Sequence, residues 1–230
     1  MPLISDTDAW KNLNELRDQM LGVPLADLFD ADHARASGCA IDLGGLYVDF
    51  SRQRVSAEVL VGLAALAETA DASGFIERMA RGETVNLSED RPALHMQVRR
   101  TPGDGADERL KAFAERVRVG DIPSASGAPF TAVLAIGIGG SELGPDLVLD
   151  ALGDAYGGAM DVRMCANIDG TAFRRATDGL DPATTLVIVI SKSFRTMETQ
   201  ANAERAAIWM QGGVGGDWAK NFCAVSANVE

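Results

Sequence analysis

Cations are scarce in this chain of 230 residues: 21 Lys and Arg stand against 33 Asp and Glu, a net charge of −12. That balance argues against nucleic acid or an anionic membrane surface as a general partner. An anionic small molecule is admitted only where local donors overcome the global repulsion. Cysteine is scarce too. Cys39, Cys165 and Cys223 are far apart and odd in number, with no CxxC and no Cys/His cluster. The spacing argues against a disulfide framework and against a zinc site, and each thiol reads as a small buried hydrophobe. A reducing cytoplasm is the expected location. The segment Met1 to Trp10 lacks the basic-then-apolar pattern of a signal peptide. No apolar run approaches the ~20 residues that span a bilayer. What is present is an ordinary globular balance, 47% hydrophobic and 23% charged, long enough for one or two domains with a sizeable core.

The two halves differ in texture. Residues 1–120 read as mainly helical. Trp10, Leu13, Leu16, Met20 and Leu21 follow a helical period within Asp6 to Leu21. Further helices are expected over Leu25 to Asp32, Ala57 to Ala70, Gly74 to Arg81 and Asp107 to Val117. Period-two segments flank Gly44-Gly45 between Ala40 and Phe50, which predicts a small hairpin. Pro123-Ser-Ala-Ser-Gly-Ala-Pro129 reads as the linker. Residues 121–230 then alternate strand and helix. Strands are expected at Thr131 to Ile136, Asp161 to Cys165, Thr185 to Ile190 and Phe222 to Ser226. Helices are expected at Leu143 to Leu152, Thr171 to Thr177 and Met197 to Met210. Continuous apolar strands alternating with helices predict an α/β fold, a parallel sheet sandwiched by helices.

Ligands of such sheets bind at the carboxyl ends of strands. Two of those ends are unusual here. The first is Gly137-Ile-Gly-Gly-Ser-Glu-Leu-Gly-Pro145. Its glycines allow close backbone approach, helix-start amides offer donors to an anion, and Ser141 adds a hydroxyl. Neither the spacing of a dinucleotide fingerprint nor that of a P-loop fits, since Glu142 falls where the third glycine belongs and no Lys follows in place. The second is Ser191-Lys-Ser-Phe-Arg-Thr-Met-Glu-Thr199, which offers Ser191, Lys192, Ser193, Thr196 and Thr199 just before and within a helix start. Capping accounts for one such hydroxyl. Several together fit the wrapping of a phosphate dianion.

These segments resemble the glucose-6-phosphate isomerase family. The first loop is similar to its GIGGSxLGP and the second to its SKTFTTxET. Asn86 to Arg99 is similar to NxTExRxxLHxALR, Asn167-Ile-Asp-Gly-Thr171 to NIDGT, and Val48-Asp-Phe-Ser51 to the LDFSK after the hairpin. The resemblance implies a sugar isomerase (SIS) domain from about residue 121, preceded by residues 1–120 as a mainly helical N-terminal region. It implies substrate contacts from Gly140, Ser141, Ser191, Lys192, Ser193 and Thr196. Ser193 replaces the usual Thr and keeps the hydroxyl. Arg195 replaces a Thr, and would add a cation if it points into the site. Asp169 and Thr171 are expected to shape a turn and cap a helix, Glu198 to support the loop, and His95 to be a satisfied core residue. Arg91 and Arg99 are expected to pair with carboxylates or to line an interface.

The reaction implied is the interconversion of glucose 6-phosphate and fructose 6-phosphate through an enediol(ate), with no metal or organic cofactor. The resemblance also implies that the base glutamate, the ring-opening histidine and lysine, and an arginine near the intermediate lie beyond residue 230. The chain by itself is therefore expected to be inactive and its SIS domain incomplete at the C-terminal end. A homodimer is the assembly the family implies. The competing reading is a non-catalytic SIS-type module that senses a sugar phosphate. The two loops serve both readings, and the helical first half favours the isomerase.

Overall fold

The computed structural model describes residues 3–96, 106–153 and 160–228. The chain divides into two compact units, Met1–Pro102 and Gly103–Glu230. The first begins with α1 (Asp8–Met20), whose start is capped by the Thr7 hydroxyl accepting from the Trp10 amide. Helices α2 (Leu25–Ala31) and α3 (Arg35–Gly38) lead into the expected hairpin. Strands β1 (Ala40–Asp42) and β2 (Tyr47–Asp49) pair antiparallel, with Ile41 opposite Val48. Gly44 and Gly45 turn the chain at φ values of 70° and 117°, where a side chain would be strained. Helix α4 (Ala57–Thr69) follows, then α5 (Ala72–Ala80). Gly62 lets α4 approach α1, because a Cβ there would sit 3.0 Å from Leu13.

Arg35 is 4% exposed and is satisfied by donating to three carbonyls, those of Ser51, Gln53 and Val55. His95 corrects an expectation: it is exposed beside the half-exposed Leu94, not a core residue. Arg91 forms a backbone bridge with Asn86. Arg99 lies outside the described residues. Among those residues no single helix is long and apolar enough to cross a membrane.

The second unit opens with α6 (Ala106–Arg118) and is built on β3 (Ala132–Ile136), β4 (Asp161–Cys165), β5 (Thr185–Ile190) and β6 (Phe222–Val225). Helices α7 (Leu143–Leu152), α8 (Gly170–Thr177) and α9 (Met197–Val214) connect them. The sheet order is β4-β3-β5-β6 and every pairing is parallel. Alternation along the strands gives two apolar faces. Leu134, Ile136, Val187 and Val189 pack with Ala176 of α8 and with Ala206 and Met210 of α9. Val133 and Leu186 pack on the other side with Val117 of α6 and Phe130. The expected sheet between helices is thus what forms.

Two details differ from the sequence reading. The compact units divide at 102/103 rather than at 120/121, because Val117 buries itself against the sheet and carries α6 with it. Pro123 to Pro129 is not a loose linker. Ser124 is 4% exposed, its amide donates to the Ala128 carbonyl, and the Ala125 amide donates to Asn221 Oδ1 at 2.7 Å. Small and turn-forming residues there let the chain hug the sheet edge, which composition alone does not distinguish from flexibility.

Candidate functional site

The sheet order places both unusual loops at one point. The chain leaves β3 for β4 on one flank, then crosses to β5 on the other, so the winding reverses between β3 and β5. Crevices form outside the carboxyl ends of strands at such reversals. Ile136 pairs with Val189 in parallel register, so residues 137 and 191 begin their loops at the same edge of the sheet, on strands roughly 4.8 Å apart.

In the first loop, Gly137 is buried and a Cβ there would lie 2.7 Å from the Ser141 carbonyl oxygen. Only glycine allows the chain to fold back so closely. Gly139 adopts φ 60° and starts a short 3-10 turn, Gly139–Ser141, closed by the Ser141 amide donating to Ile138. Gly140 is exposed and Ser141 half-buried. No side chain caps α7, so its first amides keep their donor character for a ligand.

The second loop is more constrained. Ser191 is 3% exposed; its amide donates to the Val225 carbonyl and its hydroxyl accepts from the Phe194 amide at 3.1 Å. That bond holds Phe194 at φ 55°, a left-handed conformation costing a bulky residue about 1–2 kcal/mol. The strand end beyond β6 braces the same loop: Ala227 and Ser226 donate to the Lys192 carbonyl, and Asn228 to that of Ser193. Lys192 and Arg195 are exposed, while Ser193 and Thr196 are half-buried. The capping expectation fails in a useful way. Thr196 is the N-cap residue of α9, yet its side chain makes no capping bond. The hydroxyl engaged in holding the turn is that of Ser191.

One polar group of this region was underweighted in the sequence. Thr199, in the first turn of α9, is 3% exposed and its hydroxyl has no hydrogen-bond partner. Its signal was only one more hydroxyl after the helix start. Beside the loops lies a cavity of about 550 Å³, lined by Ile138, Glu142, Cys165, Asn167, Ile168 and Glu198 among others. Glu198 therefore faces a cavity rather than only bracing the loop. Cys165, 2% exposed, has its thiol pushed up mainly by burial, with the Glu142 carboxylate adding to the effect and Arg205 opposing it. Asp169 caps α8 by accepting from the Thr171 amide at 2.7 Å, which holds its carboxyl below the usual range. Asn167 Oδ1 accepts from the Asp169 amide and fixes the turn between β4 and α8. A second cavity, of about 530 Å³, lies under α6 and is lined by apolar groups such as Phe113, Leu186 and Ile188. It offers nothing to a phosphate.

The profile of the phosphoglucose isomerase family matches residues 49–230. The chain belongs to that family. It is 41% identical to the glucose-6-phosphate isomerase of Frankia casuarinae and 38% identical to that of Caulobacter vibrioides, each match covering 99% of this chain. It spans 44% and 45% of those two proteins. A crystal structure of a glucose-6-phosphate isomerase from Chlamydia trachomatis superposes with a TM-score of 0.75 at 26% identity, over 98% of this chain and 45% of that one. The family and the α/β fold expected from the sequence both stand. The family match begins within the Val48-Asp-Phe-Ser51 segment and includes both loops.

Proposed function

We propose that this chain forms the sugar-phosphate-binding part of an enzyme that interconverts glucose 6-phosphate and fructose 6-phosphate through an enediol(ate). One observation carries the reading. The two hydroxyl- and amide-rich loops leave neighbouring, in-register parallel strands at the point where the sheet's winding reverses. A dianion there meets Ser193 and Thr196 with the α9 amides from one side, and Gly140 and Ser141 with the α7 amides from the other. Lys192 adds charge at the mouth, which matters in a protein with a net charge of −12. Ser191 holds the turn that presents these groups.

The remainder of the ligand fits the adjoining cavity, where Glu142, Glu198 and Asn167 offer acceptors and donors to sugar hydroxyls. Binding energy from the phosphate then positions the carbons that react. Residues 121–230 would be the first SIS domain of the enzyme, and a homodimer its assembly. Membership of the isomerase family along most of the chain favours this reading over a stand-alone sensor module.

Isothermal titration with inorganic phosphate and with glucose 6-phosphate tests the site. The unaltered chain is expected to bind both. A Ser193→Ala, Thr196→Val double variant, folded by circular dichroism, is expected to lose both. Undiminished phosphate binding by that variant would remove the second loop from the site.

A further inference from the structure

Helix α9 does more than begin at the second loop. Its residues Glu198, Asn202 and Arg205 recur at helical spacing on one face. Glu198 lines the cavity. Asn202 is fully buried, and its amide nitrogen donates to the carbonyls of Asn167 at 2.9 Å and Ala166 at 3.5 Å. The Arg205 guanidinium donates to the Ile168 carbonyl and to Asn202 Oδ1. Residues 166–168 are the stretch that leaves β4 beyond its last pairing, Cys165 with Ile136. Their carbonyls have lost the sheet ladder and need other partners. Two side chains of α9 satisfy all three, and Arg205 also satisfies the acceptor of Asn202. The same three residues, 166–168, form one wall of the cavity.

We infer that Asn202 and Arg205 are positioning residues for the non-phosphate end of the ligand. They clamp the 166–168 wall to the helix whose first turn adjoins the phosphate loop. The inference rests on the reading given under Proposed function. Its chemical consequence is selective. The phosphate end is held by loops that neither side chain touches, whereas the wall offers the Asn167 amide to a sugar hydroxyl. The Oδ1 of Asn167 is engaged by the Asp169 amide, so the turn leaves its N–H donors for the ligand. Releasing the wall therefore weakens recognition of the sugar and leaves recognition of the anion alone.

The test compares Arg205→Met, Arg205→Gln and Arg205→Lys with the unaltered 230-residue chain, using inorganic phosphate and glucose 6-phosphate as probes in isothermal titration. Arg205→Met is expected to weaken glucose 6-phosphate binding roughly tenfold while phosphate binding stays within about twofold. Arg205→Gln, which keeps a single donor group, is expected to fall between, and serves for Arg205→Met should that variant not fold. Arg205→Lys, which keeps a cationic donor, is expected to restore most of the difference. Equal loss of both probes, or loss of neither, overturns the positioning role and leaves the phosphate site standing. An unaltered chain that binds glucose 6-phosphate no tighter than phosphate overturns the role as well. An unaltered chain that binds neither probe overturns the reading of the site itself.

Discussion

Thr199 carries a hydroxyl sealed from solvent and without a partner, in the first turn of α9. An orphan donor of this kind costs about 1–3 kcal/mol, and native proteins retain few of them without a use. Thr199→Val keeps the side chain's shape and removes the hydroxyl. The ligand-free chain is expected to gain roughly 1 kcal/mol and to melt a few degrees higher. Phosphate is expected to stabilise the variant less than it stabilises the unaltered chain. Calorimetric melts with and without phosphate check both effects; equal stabilisation by phosphate in the two proteins takes Thr199 out of the site. The hydroxyls of this loop were countable in the sequence, but their division of labour was not. Ser191 spends its hydroxyl on the Phe194 amide, and Thr196 does not cap its own helix. Which hydroxyl meets which amide depends on backbone angles, including the left-handed Phe194, that residue type does not announce.

Among the elements, the segment from Pro123 to Pro129 behaves unlike its composition. Asn221, fully buried before β6, accepts from the Ala125 amide and donates to the Pro182 carbonyl at 2.9 Å. One side chain thus ties the approach to β3, the approach to β5 and the start of β6. Asn221→Ala leaves a buried donor and a buried acceptor unmet, and is expected to cost about 1–3 kcal/mol. The check is the urea midpoint at unchanged slope, together with limited proteolysis. The unaltered chain is expected to resist cleavage within 123–129 and the variant to be nicked there. Rapid cleavage of the unaltered chain at that segment would restore the linker reading. Strand and helix positions were legible because periodicity is a local signal, as in the apolar run of β5. The role of Asn221 was not, since its partners lie 96 and 39 residues away in the chain.

For the molecule as a whole, acid is the condition that strains it. Among the described residues, hydrogen bonds hold four carboxyls below the ordinary value of 3.8: Asp49 through Ser51, Asp161 through Arg163, Asp169 through Thr171 and Asp217 through Lys220. Because each folded-state value lies below the unfolded one, the unfolded chain takes up protons first as pH falls. The stability these groups contribute is fully present above about pH 4 and drains away as pH drops through their lowered values. The urea midpoint is expected to fall steeply below about pH 4, and Asp161→Asn to flatten that fall. A midpoint indifferent to pH in that range contradicts the assignment. The chain's own pattern of apolar runs, glycines and hydroxyls determined that four strands would alternate with helices, and that two of their ends would carry loops rich in glycines and hydroxyls. It could not determine that β3 and β5 would be neighbours. Pairing depends on how two apolar faces are covered by α6 on one side and by α8 and α9 on the other, a collective property of the packed sheet that no local spacing encodes. Only the folded order β4-β3-β5-β6 sets the two loops side by side, with the wall that α9 holds at the end of β4 on the other side of β3.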